Sequence, residues 1–286
     1  MNDQVKKIQL EELKVFFEFQ RICKKYDFTY YAIGGTCIGA VRHEGFIPWD
    51  DDIDVAMPSE DYFRFIECCK IELSDEFEIM NPLNVCHSSE QYIKLFNTNT
   101  TYVEDFAMSY EDRYIGVFID IFPIFSLPQN IKKQKKLIKR NALYNKLNYL
   151  LRFSVEKEIG NKSVVVAKLL KLIYRNDYSA ILRKQIKMLK RYPFNNSDMI
   201  HFCWRDIPGT KGSGSYNNIF FYEDFKSTIE VPFEDTYISI PIGYDRYLKM
   251  DFGDYMQLPP IEQRVPGHVA GIVDFKKSYR NYQEKK

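Results

Sequence analysis

Residues 5–27 carry Ile8, Leu13, Phe16, Phe17, Phe19 and Cys23 mainly at three- and four-residue steps, which predicts an amphipathic helix packed on the elements after it. Residues 30–33 are a short apolar run stopped by Gly34 and Gly35, the pattern of a buried strand and a tight turn. A short helix is expected over 36–41 and a loop over 42–49. From 52 to 57 charged and apolar residues alternate with the period of a strand. Pro58 and Ser59 then open a helix, with Ser59 as N-cap, Glu60 and Asp61 in the first turn where the dipole favours acids, and Phe63, Ile66 and Cys69 on one side. Strands are predicted at 77–80, 92–96, 101–104 and 117–122. This order argues for an α/β (α+β) core built on a mixed sheet.

The pattern changes at Gln129. Through Tyr192 the sequence is lysine-rich and helix-forming, with leucines at 137, 143, 147, 150 and 151 and again at 169, 170 and 172; two or three amphipathic helices are expected, broken near Gly160 and Asn176. After Pro193 the chain is aromatic and punctuated by proline and glycine, which predicts irregular structure with short strands wrapping back onto the core. The chain thus divides into a core over 1–128, a basic helical segment over 129–193 and a C-terminal lobe over 194–286.

Charge sharpens this division. The net charge is only +1, yet residues 129–192 hold 18 Lys/Arg against three acids, so the rest of the chain is acidic by 14. One segment is suited to meeting anions. An anionic membrane surface or a phosphate-rich acceptor chain fits it; a solvated helix face is the plain alternative, and nucleic acid is disfavoured because no recognition motif accompanies the charge. With 286 residues, 45% of them hydrophobic, a sizeable core is available. No apolar stretch is long enough to span a bilayer, and the first residues lack the pattern of a signal peptide. The six cysteines show neither a CxxC pair nor Cys/His ligand spacing, so free thiols and a cytoplasmic setting are expected, with the inner face of the plasma membrane as a peripheral site.

The candidate chemistry lies in three places: Gly34-Gly35-Thr36 after a strand, Asp52-Ile53-Asp54 opening the next, and Asp120 within the apolar strand GVFIDIFPIF. On a strand, residues two apart share a face, so Asp52 and Asp54 can grip one cation, and a third carboxylate from a neighbouring strand makes an oxygen-rich site suited to Mg2+ or Mn2+. In-line phosphoryl displacement needs such a site. Alternating aspartates also mark any half-exposed strand. A calcium loop fails, because its sixth position is Val55 and its twelfth Asp61. Asp120 is the most telling acid, since a carboxylate in an apolar strand is costly to bury without a partner.

GGTCIGAVRHEGFIPWDDDIDVAM, residues 34–57, resembles the signature segment of the LicD family, and GVFIDIFPI and DFGDYMQLPP are similar to later blocks of it in the same order. LicD-like proteins, including the fukutin-related group, have a nucleotidyltransferase fold. The resemblance implies that Asp52 and Asp54 are metal ligands and that Asp120 is the third acid, completing the metal site or taking the proton of the attacking hydroxyl. It further implies that Gly34, Gly35 and Thr36 receive donor phosphates. Arg42 and His43 are candidates to hold phosphate, Arg42 the better of the two because guanidinium binds it bidentately. Lys94, in YIKLF, is a third cationic candidate, with a surface strand lysine as its alternative. Asp50 and Asp51 are read as groups that order the loop, and Phe46 and Trp49 as core aromatics, or as a face for a quaternary ammonium. Asp254, Tyr255, Met256 and His268 belong to the C-terminal blocks expected to close over the site.

The implied reaction is transfer of a phospho-alcohol group, phosphocholine first among the choices, from a CDP-activated donor to a hydroxyl of a glycan, teichoic acid or lipid-linked acceptor. A sugar-nucleotide glycosyltransferase using Asp52-Ile53-Asp54, or an inactive glycan-binding subunit, are the competing readings.

Overall fold

The computed structural model describes residues 3–84, 91–104, 115–152, 161–202, 219–267 and 270–283. The first apolar periodicity forms α1 (Asp3–Tyr26), which buries Val5, Ile8, Leu13, Phe16, Phe19 and Ile22; Phe17, expected on that face, is exposed. After it come β1 (Tyr31–Ala32), α2 (Gly34–His43), β2 (Asp54–Pro58), α3 (Ser59–Glu72), β3 (Phe77–Met80), β4 (Ile93–Asn97), β5 (Thr101–Glu104) and β6 (Phe118–Ser126). Next are α4 (Ile131–Arg152), α5 (Asn161–Ile173) and α6 (Ala180–Leu189). The remainder is β7 (Met199–Phe202), β8 (Ile219–Phe221), α7 (Tyr222–Phe225), β9 (Thr228–Phe233), β10 (Thr236–Pro241), α8 (Tyr244–Phe252), β11 (Ala270–Asp274) and α9 (Arg280–Gln283).

The main sheet is mixed, as expected. Its order is β1-β2-β6-β4-β3, with β7 joined to β6 and β8 to β7. Only β2 and β6 run parallel; the other pairs are antiparallel. β6 lies at the centre and every residue of it is buried, which is why it reads as a nearly continuous apolar run. Helices α1 and α3 pack against each other and against this sheet.

Several boundaries differ from the sequence pattern. Helix α2 begins at Gly34, so the glycine pair is its first turn, and it runs to His43, where Glu44 at φ 53° ends it in the left-handed region. Arg42 and His43 therefore lie in a helical last turn instead of a loop. Strand β2 starts at Asp54, two residues later than predicted, because its pairing with β6 begins at Asp54 opposite Asp120. Ser59 is the first helical residue of α3, not its cap; its hydroxyl bonds the Glu60 carboxylate at 2.8 Å.

Segment 129–193 forms three helices in its described residues. The break near Asn176 is real, with Arg175 and Asn176 both at positive φ; the one near Gly160 falls outside the described residues. The expected leucine stripe of α4 is wrong in detail. Leu137, Leu150 and Leu151 are buried, but so are Asn141, Asn145 and Asn148, while Leu143 is exposed. Gln185 of α6 donates to Asn141 at 2.8 Å and Asn145 at 2.5 Å and accepts from Asn148 at 2.6 Å, so amides replace leucines at this contact. The tail is more regular than predicted: β7 and β8 extend the main sheet, β11 pairs with β5, and β9 and β10 form a hairpin. Cys23, Cys37, Cys68 and Cys69 are free thiols, whereas Cys86 and Cys203 lie outside the described residues. Among the described residues no helix is long and apolar enough to cross a membrane.

Candidate active site

Strand register brings three charged residues into one row. Asp54 on β2 lies opposite Asp120 on β6, and Asp120 lies opposite Lys94 on β4. Residues opposite each other share a face of the sheet, so the row Asp54, Asp120, Lys94 crosses its middle. Lys94 Nζ sits 2.7 Å from Asp120 Oδ1, with side-chain exposures of 4% and 5%. The ammonium also lies 3.6 Å from the centre of the Phe118 ring. The partner that a buried Asp120 requires is thus a lysine of the neighbouring strand, and Lys94 is a buried member of the row, not a surface residue.

The first turn of α2 faces the same acids. Gly34 adopts φ +57°, and a β-carbon there would stand 3.5 Å from Asp54 Oδ2. At Gly35 a β-carbon would come within 2.5 Å of Asp50 Oδ2. Gly35 therefore makes room for the Asp50 carboxylate and Gly34 supplies the positive φ, at the positive end of the helix, the place expected to receive donor phosphate. Thr36 is buried and its Oγ1 accepts the Asp54 amide at 2.8 Å, pinning the helix to the start of β2. The Gly34 amide donates to the hydroxyl of buried Tyr247 at 2.9 Å.

Residues 255–267 close the other side. Arg42 donates to the carbonyls of Tyr255 at 2.5 Å and Gln257 at 3.4 Å, and the Gly267 amide donates to Asp51 Oδ1 at 3.0 Å. Asp51 is buried. Burial, followed by the neighbouring charge of Arg264, lowers the Arg42 pKa. Burial and then Arg42 lower that of His43, whose ring meets Trp49 edge-on at 6.4 Å. Arg264 lies 5.5 Å from the centre of the Trp49 ring. Phe46 is a core residue, 5.0 Å from Phe233. Asp254 and Met256 are exposed, Tyr255 is buried with its hydroxyl on Asp245 at 3.1 Å, and His268 lies outside the described residues. Asp52 is half-buried, two residues ahead of the first residue of β2.

Residues 27–154 match the family model described as the LicD/FKTN/FKRP nucleotidyltransferase domain. A relative named lipopolysaccharide cholinephosphotransferase LicD, from Haemophilus influenzae, is 29% identical over 278 residues, covering 93% of this chain and 98% of its own length. Residues 27–154 thus resemble a LicD-type nucleotidyltransferase domain, and the similarity to a LicD protein runs over nearly the whole chain. An uncharacterised protein of Rickettsia typhi is 37% identical over 68 residues, covering 22% of each chain. The LicD-type domain match spans α2, the acid loop, Lys94 and Asp120, and the longer match extends it over the strap formed by residues 255–267.

A further acid accompanies the predicted ones. Glu12 of α1 is 2% exposed, and its Oε2 meets no hydrogen-bonding partner among the described residues. Burial first, then the charges of Asp52, Asp51, Asp50 and Asp120, push its carboxyl well above the usual carboxylate range. One turn earlier, Gln9 donates to the carbonyl of Asp50 at 2.8 Å and so fixes the acid loop onto α1. Both residues fall at the helical spacing of buried Ile8, Phe16 and Phe19, and a glutamine and a glutamate on that apolar face were the signal available in the sequence.

Among the described residues no group of three or more His, Cys, Asp and Glu side chains is gathered tightly enough to hold a metal ion. The oxygen donors are nevertheless of the kind Mg2+ or Mn2+ takes: Asp54 and Asp120 are neighbours in register, and Glu12 lies close enough to Asp52, Asp51, Asp50 and Asp120 to feel their charge. Glu12 also yields a pH prediction. In the unfolded chain its pKa is about 4.3. Above that value the unfolded state has released a proton that the folded state retains, so stability falls as pH rises toward the raised folded value. Urea denaturation of Glu12→Gln should show a shallower loss of stability between acidic and alkaline pH than the parent; superimposable slopes would refute it.

Proposed function

We propose that the protein is a phosphotransferase that moves a phospho-alcohol group, phosphocholine by preference, from a CDP-activated donor to a hydroxyl of a cell-surface glycan, teichoic acid or lipid-linked precursor. The acceptor oxygen attacks the phosphorus bearing the alcohol, the bond from that phosphorus to the bridging oxygen breaks, and CMP leaves. The observation that carries this reading is the row of half-buried Asp54 and buried Asp120 and Lys94 beside the start of α2. The nearly full-length similarity to a lipopolysaccharide cholinephosphotransferase supports it.

Asp52, Asp54 and Asp120 are the residues that would hold Mg2+ or Mn2+, whose chemistry is to offset negative charge on the transferred phosphoryl group. The chain's own groups supply position and proton transfer. Asp120 is assigned the acceptor's proton, and Lys94 holds its carboxylate in place through the 2.7 Å contact. Thr36 fixes Asp54 relative to α2 through their 2.8 Å hydrogen bond. Arg42 and the first amides of α2 are the donor-phosphate candidates, with His43 beside them.

The test is donor choice. Purified protein with an acceptor glycan and Mg2+ is expected to release CMP from CDP-choline and to lose that activity on chelation. CDP-ribitol and CDP-glycerol, run in parallel, rank the alcohol. Release of UDP from UDP-sugars, with CDP donors untouched, would move the assignment to a glycosyltransferase. Failure to bind any nucleotide with or without metal would leave a glycan-binding subunit.

A further inference from the structure

We propose that the outward side of α5 is a docking surface for an anionic lipid bilayer. Val165, Val166, Leu169, Leu172 and Ile173 are exposed by 59%, 40%, 53%, 76% and 68%. Residues 165, 169, 172 and 173 have the three- and four-residue spacing of a single helical stripe, the spacing by which a helix normally faces a core. Here the stripe faces solvent, and among the described side chains of α5 the buried one is the small Ala167, on the other side. Helix α5 is packed against α4, so its apolar side chains are presented outward from a mounted position. A contiguous apolar face of this kind marks an interaction site.

Charge selects the occupant. Lys168 is exposed beside the stripe, and Lys132, Lys133, Lys135, Lys136, Lys139, Arg140 and Lys146 of α4 are exposed as well. Arg183, Lys184 and Lys187 continue the series on α6. Among the described residues of this segment the one acid is Asp177, already paired with Arg183. Two copies of so basic a surface would repel each other, and a nucleic acid would leave the leucines wet. Anionic lipid satisfies both features: the acyl boundary takes the apolar ridge and the headgroups take the lysines. This inference is independent of the donor chemistry proposed above. Its consequence is that the protein would be held where acceptors attached to a membrane are displayed.

The experiment is flotation of the full chain with vesicles of phosphatidylcholine alone and of phosphatidylcholine mixed with phosphatidylglycerol. Binding is expected only to the mixed vesicles and should weaken with added salt. Leu169→Ser combined with Leu172→Ser should lower vesicle partitioning about tenfold, while the thermal midpoint and CMP release with a soluble acceptor stay at parent values. Lys136→Glu combined with Lys139→Glu should weaken binding to mixed vesicles in the same direction. Absence of flotation, equal binding to both vesicle types, or unchanged binding by the leucine variant would overturn the proposal. So would a concentration-dependent dimer that disappears in the leucine variant, which would assign the face to a second copy of the chain.

Discussion

Replacing Lys94 by methionine is expected to cost about 3–5 kcal/mol of folding stability, because it leaves Asp120 as a buried carboxylate without its cation. The contact is 2.7 Å long between side chains exposed by only 4% and 5%, so solvent screening does little to soften the loss. In a chain of this size the thermal midpoint should fall on the order of 10 °C. Adding Asp120→Asn to Lys94→Met should recover much of the loss, since the uncompensated charge is then gone, and a double-mutant cycle should report strong coupling. Equilibrium denaturation of the four proteins provides the measurement. A loss below about 1 kcal/mol for Lys94→Met would mean that the row across the sheet is not a buried ion pair.

The second large effect falls on activity. Asp54→Asn should reduce turnover about 10³-fold or more, because the substitution removes negative charge from the group assigned to support phosphoryl transfer. Stability should change by less than about 1 kcal/mol, since Asp54 is half-buried at the strand end and asparagine has the same size and keeps its backbone bonds. Its amide donates to Thr36 at 2.8 Å and its carbonyl accepts from Ile33 at 3.1 Å, and asparagine preserves both. Titration with Mn2+ provides a second readout: binding should weaken in Asp54→Asn, with the CD spectrum unchanged. A folded Asp54→Asn protein with near-parent turnover would remove Asp54 from the catalytic assignment.

These two residues show how differently sequence and structure speak. Asp54 was legible because its surroundings, an alternating strand after a glycine pair, advertise a carboxylate held at a strand end. Lys94 was legible only as a lysine among apolar neighbours, and nothing local distinguished a phosphate ligand from a surface residue. The answer came from β4 lying next to β6 with Lys94 opposite Asp120, an antiparallel register that residues 92–96 cannot encode alone. Glu12 was harder still. A helix that buries Ile8, Phe16 and Phe19 can hide a glutamate at the same spacing, but which acids that glutamate meets depends on where α1 is laid across the sheet.

The basic segment teaches the same lesson in reverse. Its leucines suggested ordinary amphipathic helices, with leucine as the buried residue. In the folded chain α4 buries asparagines against Gln185, and α5 turns Val165, Leu169 and Leu172 outward, because an apolar periodicity defines a face without saying what lies opposite it.

By itself the sequence determined the local features of this chain: the helix-strand alternation, the mixed-sheet class, the glycine pair that ends β1, the acid-rich loop and the unequal distribution of charge. Each depends on neighbours within a few residues, through backbone freedom, side-chain period or composition. Tertiary structure decided what those features meet: Lys94 against Asp120, Glu12 beneath the acid loop, the 255–267 strap on Arg42 and Asp51, and the open ridge of α5. Those contacts join residues from 26 to more than 200 positions apart, and they form only when sheet register and helix docking bring distant segments within reach.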